Sequence, residues 1–199
     1  MTSLLYHDGN RTLQDELGSR RLADRMEENI VRTAFTDDDK RFIESAIYFF
    51  LATADADGHP DCSFKGGAPG FVRVTAPSEI AFPDYDGNGM FKSLGNIEAN
   101  PHVGLLFIAM HGKPQRLRVN GTAHVMRDDP LLREAPGAQL IVRVNAEVIF
   151  PNCPRYVPAL TLTEQSAYTP RAGEAPLEPA WKSSARFSDV VTPRRPTQD

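Results

Sequence analysis

Apolar residues recur every three to five positions along the first 35 residues, which are otherwise polar. The stripe consists of Leu13, Leu17, Leu22, Met26 and Ile30. Apolar positions at this spacing lie on one side of an α-helix. We therefore predict a helix in this segment that covers a core formed by later segments.

A second, shorter helix is predicted to begin after Thr36 and to end near Ser45. Threonine is a preferred N-cap residue, and Asp37, Asp38 and Asp39 follow it, where the helix dipole favours negative charge. The three acids therefore indicate a helix start rather than a metal site.

From Ile47 onward the apolar period shortens to two, which is typical of β-strands. Turn residues separate seven such stretches, and we predict strands at residues 47–53, 61–65, 71–75, 79–82, 103–110, 115–125 and 140–150. One sizeable helix is predicted at 90–99, and shorter ones at 128–134 and 152–160. Tight turns with a single helical crossover favour an antiparallel barrel over a parallel α/β sheet.

Two of these strands, 47–53 and 103–110, are apolar on both of their alternating faces. The interior of one small barrel covers only one face of a strand. A partner chain or the N-terminal helix must then cover the other face.

The 199 residues carry a net charge of −4 and are 41% hydrophobic, as expected of one soluble globular domain. The negative charge argues against a dedicated nucleic-acid binder, because phosphate neutralisation needs a basic surface. No stretch approaches the roughly 20 apolar residues of a membrane helix, and the start of the chain does not resemble a signal peptide. We expect a cytoplasmic protein that contacts neither nucleic acid nor membrane.

The sequence lacks the usual signs of a metal site or of a catalytic triad. Cys62 and Cys153 lie far apart, and the five histidines are scattered without two at ligand spacing on one element. The Gly-x-Ser-x-Gly, His-Glu-x-x-His and Walker-type motifs are missing. We predict no metal site and name no catalytic residue.

Half of the 16 prolines follow residue 150, so long regular elements are not expected there. We predict that residues 1–160 form the barrel domain, including the N-terminal covering helices. Residues 161–199 are predicted to form a proline-rich arm, anchored by Tyr168, Trp181 and Phe187.

The most informative motif lies between Phe82 and Pro101. A strand is followed by Gly87-Asn88-Gly89 and then by a helix with Lys92 and Ser93 in its first turn. Free backbone N–H groups at a helix start bind anions, and glycines let the anion approach closely. The motif predicts an anion site, and a glycine-rich turn with an ordinary surface lysine explains the same residues equally well.

This segment resembles the pyridoxamine 5'-phosphate oxidase-like FMN-binding family. The resemblance runs from about residue 43 to residue 123. Its motifs are the loop and helix at 84–97, Ala-Asn-Pro-His-Val-Gly-Leu-Leu-Phe at 99–107, Leu-Arg-Val-Asn-Gly-Thr-Ala at 117–123 and an upstream segment at 58–74. The resemblance implies a mainly β fold, a six- to seven-stranded antiparallel split β-barrel with flanking short helices. It also implies a homodimer that binds FMN at the subunit interface and acts on a small-molecule substrate.

Carried over residue by residue, the resemblance also implies the cofactor-binding positions. The FMN phosphate would be held by the loop and helix start, namely Gly87, Asn88, Gly89, Lys92 and Ser93, with Asn96 nearby. The ribityl chain and ring would lie along Lys65, Phe71, Val72 and Arg73. The site would continue onto the next polar strand face through Gln115, Arg116 and Arg118.

The residues themselves support part of this assignment. Lys65, Lys92 and Arg118 lie on three neighbouring predicted elements of an acidic chain, and a bound phosphate explains such a set of cations. For Arg116 and Arg118, a solvated strand face is the alternative, because antiparallel strands commonly have one wet side.

We expect an FMN-dependent oxidoreductase that acts on a small organic molecule. The flavin would carry the electron chemistry, so no proton-transferring triad is required. The proline-rich surroundings of Trp181 and Arg186 do not match the segment with which pyridoxamine-phosphate oxidases bind their substrate. The alternatives are a non-catalytic flavin-binding or flavin-sensing protein, the same barrel with deazaflavin or with haem at His102 or His111, and an interaction domain without cofactor.

Overall fold

The computed structural model describes residues 3–192. Within them the chain forms the α-helices α1 (Asp8–Glu16), α2 (Arg20–Ile30), α3 (Asp37–Ser45) and α4 (Lys92–Ala99). The strands are β1 (Tyr48–Ala54), β2 (Pro60–Gly66), β3 (Arg73–Ala76), β4 (Glu79–Tyr85), β5 (His102–Ala109), β6 (Gln115–Met126) and β7 (Ala138–Pro151). Two short 3-10 helices span Pro130–Arg133 and Ala180–Ser183.

All seven strands belong to one antiparallel sheet with the order β2-β1-β5-β6-β7-β4-β3. Although β1 and β4 are far apart in this order, Phe49 on β1 contacts Phe82 on β4 with ring centroids 5.0 Å apart. The sheet therefore curls until its two halves meet around a shared core. This arrangement confirms the predicted mainly β fold, an antiparallel split barrel of seven strands with short flanking helices.

The core follows the predicted period of two. On β5, Val103, Leu105 and Phe107 are buried and alternate with half-buried neighbours. On β1, Phe49 and Leu51 are likewise fully buried, whereas the opposite face is only partly covered. Within the single chain one apolar face of these two strands therefore stays partly open, and its cover by a second chain stays a prediction.

The N-terminal segment forms two helices rather than the predicted one. Gly18 separates α1 from α2 and has a φ of +65°, a left-handed conformation that a glycine adopts at little cost. The predicted apolar stripe does not cover the barrel, because Leu13, Leu17 and Leu22 are 58%, 80% and 64% exposed. Polar contacts hold these helices to each other instead, including the ion pair of Arg11 with Asp24 at 2.7 Å.

Helix α3 begins as predicted. The Thr36 hydroxyl accepts a hydrogen bond from the Asp39 backbone N–H at 3.1 Å, and the Asp39 carboxylate accepts one from the Thr36 N–H at 2.9 Å. Arg32 donates to both oxygens of the same carboxylate at 2.8 Å. The acidic run is therefore a capped helix start that also ties down the preceding segment.

Some predicted bounds differ from the structure for local reasons. Strand β3 begins at Arg73, because Phe71 turns inward and packs against Gly67. A Cβ atom at residue 67 would lie only 2.4 Å from the Phe71 ring. The helix predicted at 128–134 shortens to the turn Pro130–Arg133. The helix predicted at 152–160 does not form, since prolines remove backbone donors and the Leu160 N–H bonds to the Met110 carbonyl at 2.6 Å.

After Leu160 the described part of the chain, to residue 192, contains only the 3-10 turn Ala180–Ser183 as a regular element. Of the predicted anchors, Trp181 and Phe187 contact each other edge to face at 5.8 Å. The domain boundary at residue 160 stays a prediction, and the last seven residues of the predicted arm lie outside the described range. No helix within residues 3–192 is long and apolar enough to cross a membrane.

We expect the Phe49→Ala variant to lose about 3–5 kcal/mol of unfolding free energy, because Phe49 is fully buried and its ring joins both halves of the sheet. Tyr156→Ala is the control, since Tyr156 is largely exposed and its loss should cost less than about 0.5 kcal/mol. Urea unfolding monitored by circular dichroism measures both values. Equal stabilities of the two variants would contradict the assigned closure of the sheet.

Candidate functional site

The predicted anion loop connects the end of β4 to the start of α4. Gly89 has a φ of +74°, and Phe91, directly before the helix, has a φ of +46°. Within residues 3–192, Phe91 is the single non-glycine residue with positive φ, a conformation that costs free energy and is often found at functional sites. The side-chain oxygen of Asn88 accepts a hydrogen bond from the Met90 N–H at 3.0 Å and shapes the turn.

The N-terminus of α4 is open. No side chain of the described residues caps it, so the first-turn N–H groups are free to bind another acceptor. Lys92 is exposed at the first helical position, and its Nζ donates to the Asn96 side-chain oxygen at 3.3 Å. Free N–H groups, the positive end of the helix dipole and an ammonium group together form a donor set that suits an anion.

The other polar residues of α4 fasten the helix to the barrel. Asn96 is buried and its amide donates to the hydroxyl of Thr53 on β1 at 3.0 Å. Ser93 is buried as well, and its hydroxyl donates to the Asp61 carboxylate on β2 at 3.3 Å. Ser93 was predicted to hold the phosphate and Asn96 to lie near it, and in the structure both side chains hold α4 in place.

Lys65 lies where β2 and β4 approach each other. Its Nζ is 3.9 Å from the Asp84 carboxylate, and both side chains are mostly buried. Burial raises the pKa of Asp84, the nearby Lys65 ammonium lowers it, and Asp86 raises it further. The charge of Lys65 is therefore largely offset by a neighbouring carboxyl group.

The predicted site residues just before β3 contribute little accessible surface. The side chains of Phe71 and Val72 lie in the core, so only their backbone groups could contact a ligand. Arg73 forms an ion pair with Glu134. Burial raises the pKa of Tyr85 at the end of β4, and the charge of Arg73 opposes that shift.

The polar face of β6 lies on the outside of the sheet. Arg116 donates to the Cys153 carbonyl, and its Nε is buried without a partner among the described residues. Arg118 is exposed and lies over the Phe150 ring at 5.9 Å, and Gln115 is exposed at the start of the strand.

Strand register shows that Lys65 and Arg118 do not converge within one chain. Lys65 is opposite the buried Phe49, on the inner face of the sheet. Arg118 is opposite Leu106, which is opposite Phe50 on the outer face. Directly opposed residues in an antiparallel pair share a face. The single chain therefore does not assemble the expected group of Lys65, Lys92 and Arg118.

The C-terminal arm reaches the loop through residues that the sequence analysis did not identify. The Lys182 ammonium is mostly buried and pairs with Asp86, and its distance to the Glu178 carboxylate is 3.3 Å. Gln139 also donates to Asp86 at 3.3 Å. Lys182 and Asp86 are 96 positions apart, so no local pattern could have related them.

A small group of possible metal ligands lies elsewhere, on the hairpin between β1 and β2. One ligand atom each from Asp55, Asp57 and His59 lie within 4.8 Å of one another. Asp55 accepts hydrogen bonds from the backbone N–H groups of Asp57 and His59 at 3.0 and 2.9 Å. The proximity is therefore explained by the geometry of the turn.

Comparison with known proteins identifies the family of the chain. Residues 35–168 match the family model described as pyridoxamine 5'-phosphate oxidase, which confirms the resemblance found in the sequence. No curated protein matches the chain.

Among solved structures, the chain is similar to a Lactobacillus delbrueckii protein provisionally assigned to the pyridoxamine 5'-phosphate oxidases. Identity is 25%, with 60% of this chain and 95% of that one covered at a TM-score of 0.47. An FMN-binding protein from Syntrophomonas wolfei has 9% identity and a TM-score of 0.46, with 71% of this chain and 97% of that one covered. HutZ, described as the haem storage protein of Vibrio cholerae, has 18% identity and a TM-score of 0.43, with 57% of this chain and 92% of that one covered.

We expect the Asn96→Ala variant to lose about 1–3 kcal/mol of unfolding free energy, because it removes the buried donor to the Thr53 hydroxyl. Glu98→Ala on the same helix is the control. Glu98 is exposed, and its ion pair with the exposed Arg127 is worth about 0–1 kcal/mol. Chemical unfolding measures both. A loss for Asn96→Ala no larger than that of the control would argue against its anchoring role.

Proposed function

The chain belongs to the pyridoxamine 5'-phosphate oxidase family, and from that premise we propose that it is an FMN-dependent oxidoreductase acting on a small organic molecule as a homodimer. The observation that carries the proposal is the open N-terminus of α4 next to the glycine loop. It offers free backbone donors and an exposed lysine to an anion at the position where the family resemblance expects the flavin phosphate.

The residues around the loop fit a flavin phosphate only in part. Lys92 and residues 87–91 of the loop are exposed and would hold the phosphate together with the N–H groups at the start of α4. Ser93 and Asn96 would support the site indirectly, since their side chains anchor α4 to β2 and β1. A bound FMN would supply the exchange of electrons with a substrate, and the protein would bind and orient both molecules.

The charges near the loop are arranged so that an anion is tolerated in an acidic protein. Asp84 and Asp86 flank the end of β4 and would repel a phosphate if their charges were unopposed. Lys65 faces Asp84, and Lys182 from the C-terminal arm pairs with Asp86. The two lysines therefore offset the two carboxylates and leave the charge of Lys92 available.

The outer face of the sheet supports a dimer. Phe64, Phe50 and Leu106 are directly opposed on β2, β1 and β5, and the row continues through Arg118 on β6 to Phe150 on β7. Phe64 is 61% exposed and stacks on Tyr48 at 5.5 Å. The N-terminal helices leave their own apolar side chains exposed, so a second copy is the partner that we infer for this face. Arg116 and Arg118 border the face and would reach a flavin bound between the copies.

Lys92→Ala should weaken FMN binding by about tenfold or more, the loss expected for one charge-assisted hydrogen bond of about 1.5–3 kcal/mol. Lys113→Ala is the matched control, because Lys113 is exposed in the turn between β5 and β6. Titration of the apoprotein followed by flavin fluorescence measures both affinities. Equal affinities of the two variants would mean that the anion site lies elsewhere.

The absorption spectrum of the purified protein tests the cofactor itself. Flavin bands are expected, and bleaching of bound flavin by NADH or NADPH would support an oxidoreductase over a passive flavin binder. A colourless protein that takes up no FMN, or one with the intense band of haem, would overturn the proposal. The cytoplasmic location stays a prediction.

Leu106→Arg should convert the dimer into monomers, because it places a charge at the centre of the apolar row. Leu162→Arg is the control, since Leu162 is an exposed residue of the C-terminal arm. Light scattering coupled to size-exclusion chromatography measures the mass of both. A monomeric native protein at micromolar concentration would refute the dimer, whatever the result with FMN.

A further inference from the structure

A cavity of about 430 Å³ lies between the glycine loop and the C-terminal arm. The end of β4 and the loop, from Tyr85 to Asn88, form one side. The arm forms the other side with residues between Tyr168 and Trp181, most of which follow the family match that ends at residue 168. This volume falls in the range of small-molecule sites, about 300–1,000 Å³.

Rings and prolines dominate the lining. The aromatic side chains are those of Tyr85, Tyr168 and Trp181, and the prolines are Pro170, Pro176 and Pro179. Aromatic faces and proline rings offer flat, rigid apolar surfaces, which favour a flat apolar ring as ligand. The lining therefore selects for shape and apolar surface.

The polar groups of the lining argue against an anionic ligand. No lysine, arginine or histidine of the described residues lines the cavity. The one acid, Asp86, has its carboxylate engaged by Lys182 and Gln139. A charged ligand would therefore lose its hydration without gaining a counter-ion.

Two polar side chains remain to orient a neutral ligand. The Tyr85 hydroxyl makes no hydrogen bond within the described residues, and burial raises its pKa, so it stays a neutral donor. Asn88 lines the same cavity, and its amide nitrogen has a second N–H besides the one that faces the Met90 sulfur at 3.3 Å. A ligand with one hydroxyl or carbonyl group would satisfy either of them.

We propose that this cavity binds a neutral small molecule with a flat aromatic ring system, held between Tyr168, Trp181 and the prolines of the arm and oriented by Tyr85 or Asn88. Binding depends on the docked arm, which Lys182 fastens to the loop through Asp86. Only the further step, that the bound molecule is the substrate of a neighbouring flavin, rests on the proposed function.

Calorimetric titration with 2-naphthol tests the proposal, and 2-naphthoate serves as the anionic counterpart with the same rings. We expect one saturable site per chain for 2-naphthol and at least tenfold weaker binding of 2-naphthoate. Trp181→Ala should weaken 2-naphthol binding at least tenfold. Tyr156→Ala should not change it, because Tyr156 is exposed and does not line the cavity.

A second variant separates ligand contact from loss of the arm. Tyr85→Phe keeps the ring on β4 and removes only the hydroxyl, so we expect a threefold to tenfold loss of 2-naphthol affinity. Trp181 is the only tryptophan of the chain, and its fluorescence in the Tyr85→Phe variant should match that of the native protein. A matching spectrum shows that the arm remains docked.

Three results would overturn the proposal: no saturable binding of 2-naphthol, equal binding of 2-naphthoate, or unchanged affinity in the Trp181→Ala variant. Displacement of 2-naphthol by FMN would also overturn it, since the cavity would then be part of the flavin site. A protein that binds 2-naphthol but no FMN would refute the proposed function and leave this inference standing. A protein that binds FMN but not 2-naphthol would refute this inference and leave the proposed function standing.

Discussion

The contact between Phe49 and Phe82 joins the two halves of the sheet, and the geometry of the candidate site depends on it. Because β1 and β4 meet in the core, β2 and β4 also come close enough for Lys65 to face Asp84. The glycine loop leaves the end of β4, and the helix that follows it returns to β1 through Asn96. Both ends of the loop are therefore tied to strands that the aromatic core holds together, which keeps the open helix N-terminus in a fixed place.

Electrostatic balance at the loop comes from distant parts of the chain. Asp84 and Asp86 lie next to the glycines, and their partners Lys65 and Lys182 come from β2 and from the C-terminal arm. An acidic protein can thus present a local site that tolerates an anion. The arm has a second effect, because its docking encloses an aromatic cavity beside the loop. The proposed ligand site therefore draws nearly half of its lining from a part of the chain that lies beyond the family match.

The two faces of the sheet differ in how completely the chain covers them. The inner face of β1 and β5 is fully buried, whereas the outer face carries Phe64 and other partly exposed apolar residues that ordinary monomers avoid. A second copy on the outer face would resolve this exposure and would bring Arg118 to an interface. The same arrangement explains why the cations expected from the sequence do not meet within one chain, since Arg118 and Lys65 lie on opposite faces.

Local patterns in the sequence were sufficient to predict the strands, the Thr36 cap, the glycine loop and the exposed Lys92. Each of these features depends on neighbouring residues or on a backbone period of two or 3.6 residues. They could not reveal that Ser93 and Asn96 hold the helix to the barrel, or that Lys182 pairs with Asp86. Strand register and the curl of the sheet decide those contacts. The apolar stripe of α1 and α2 indicated helix correctly but not burial, since burial depends on what the folded chain, or a second copy, places against it.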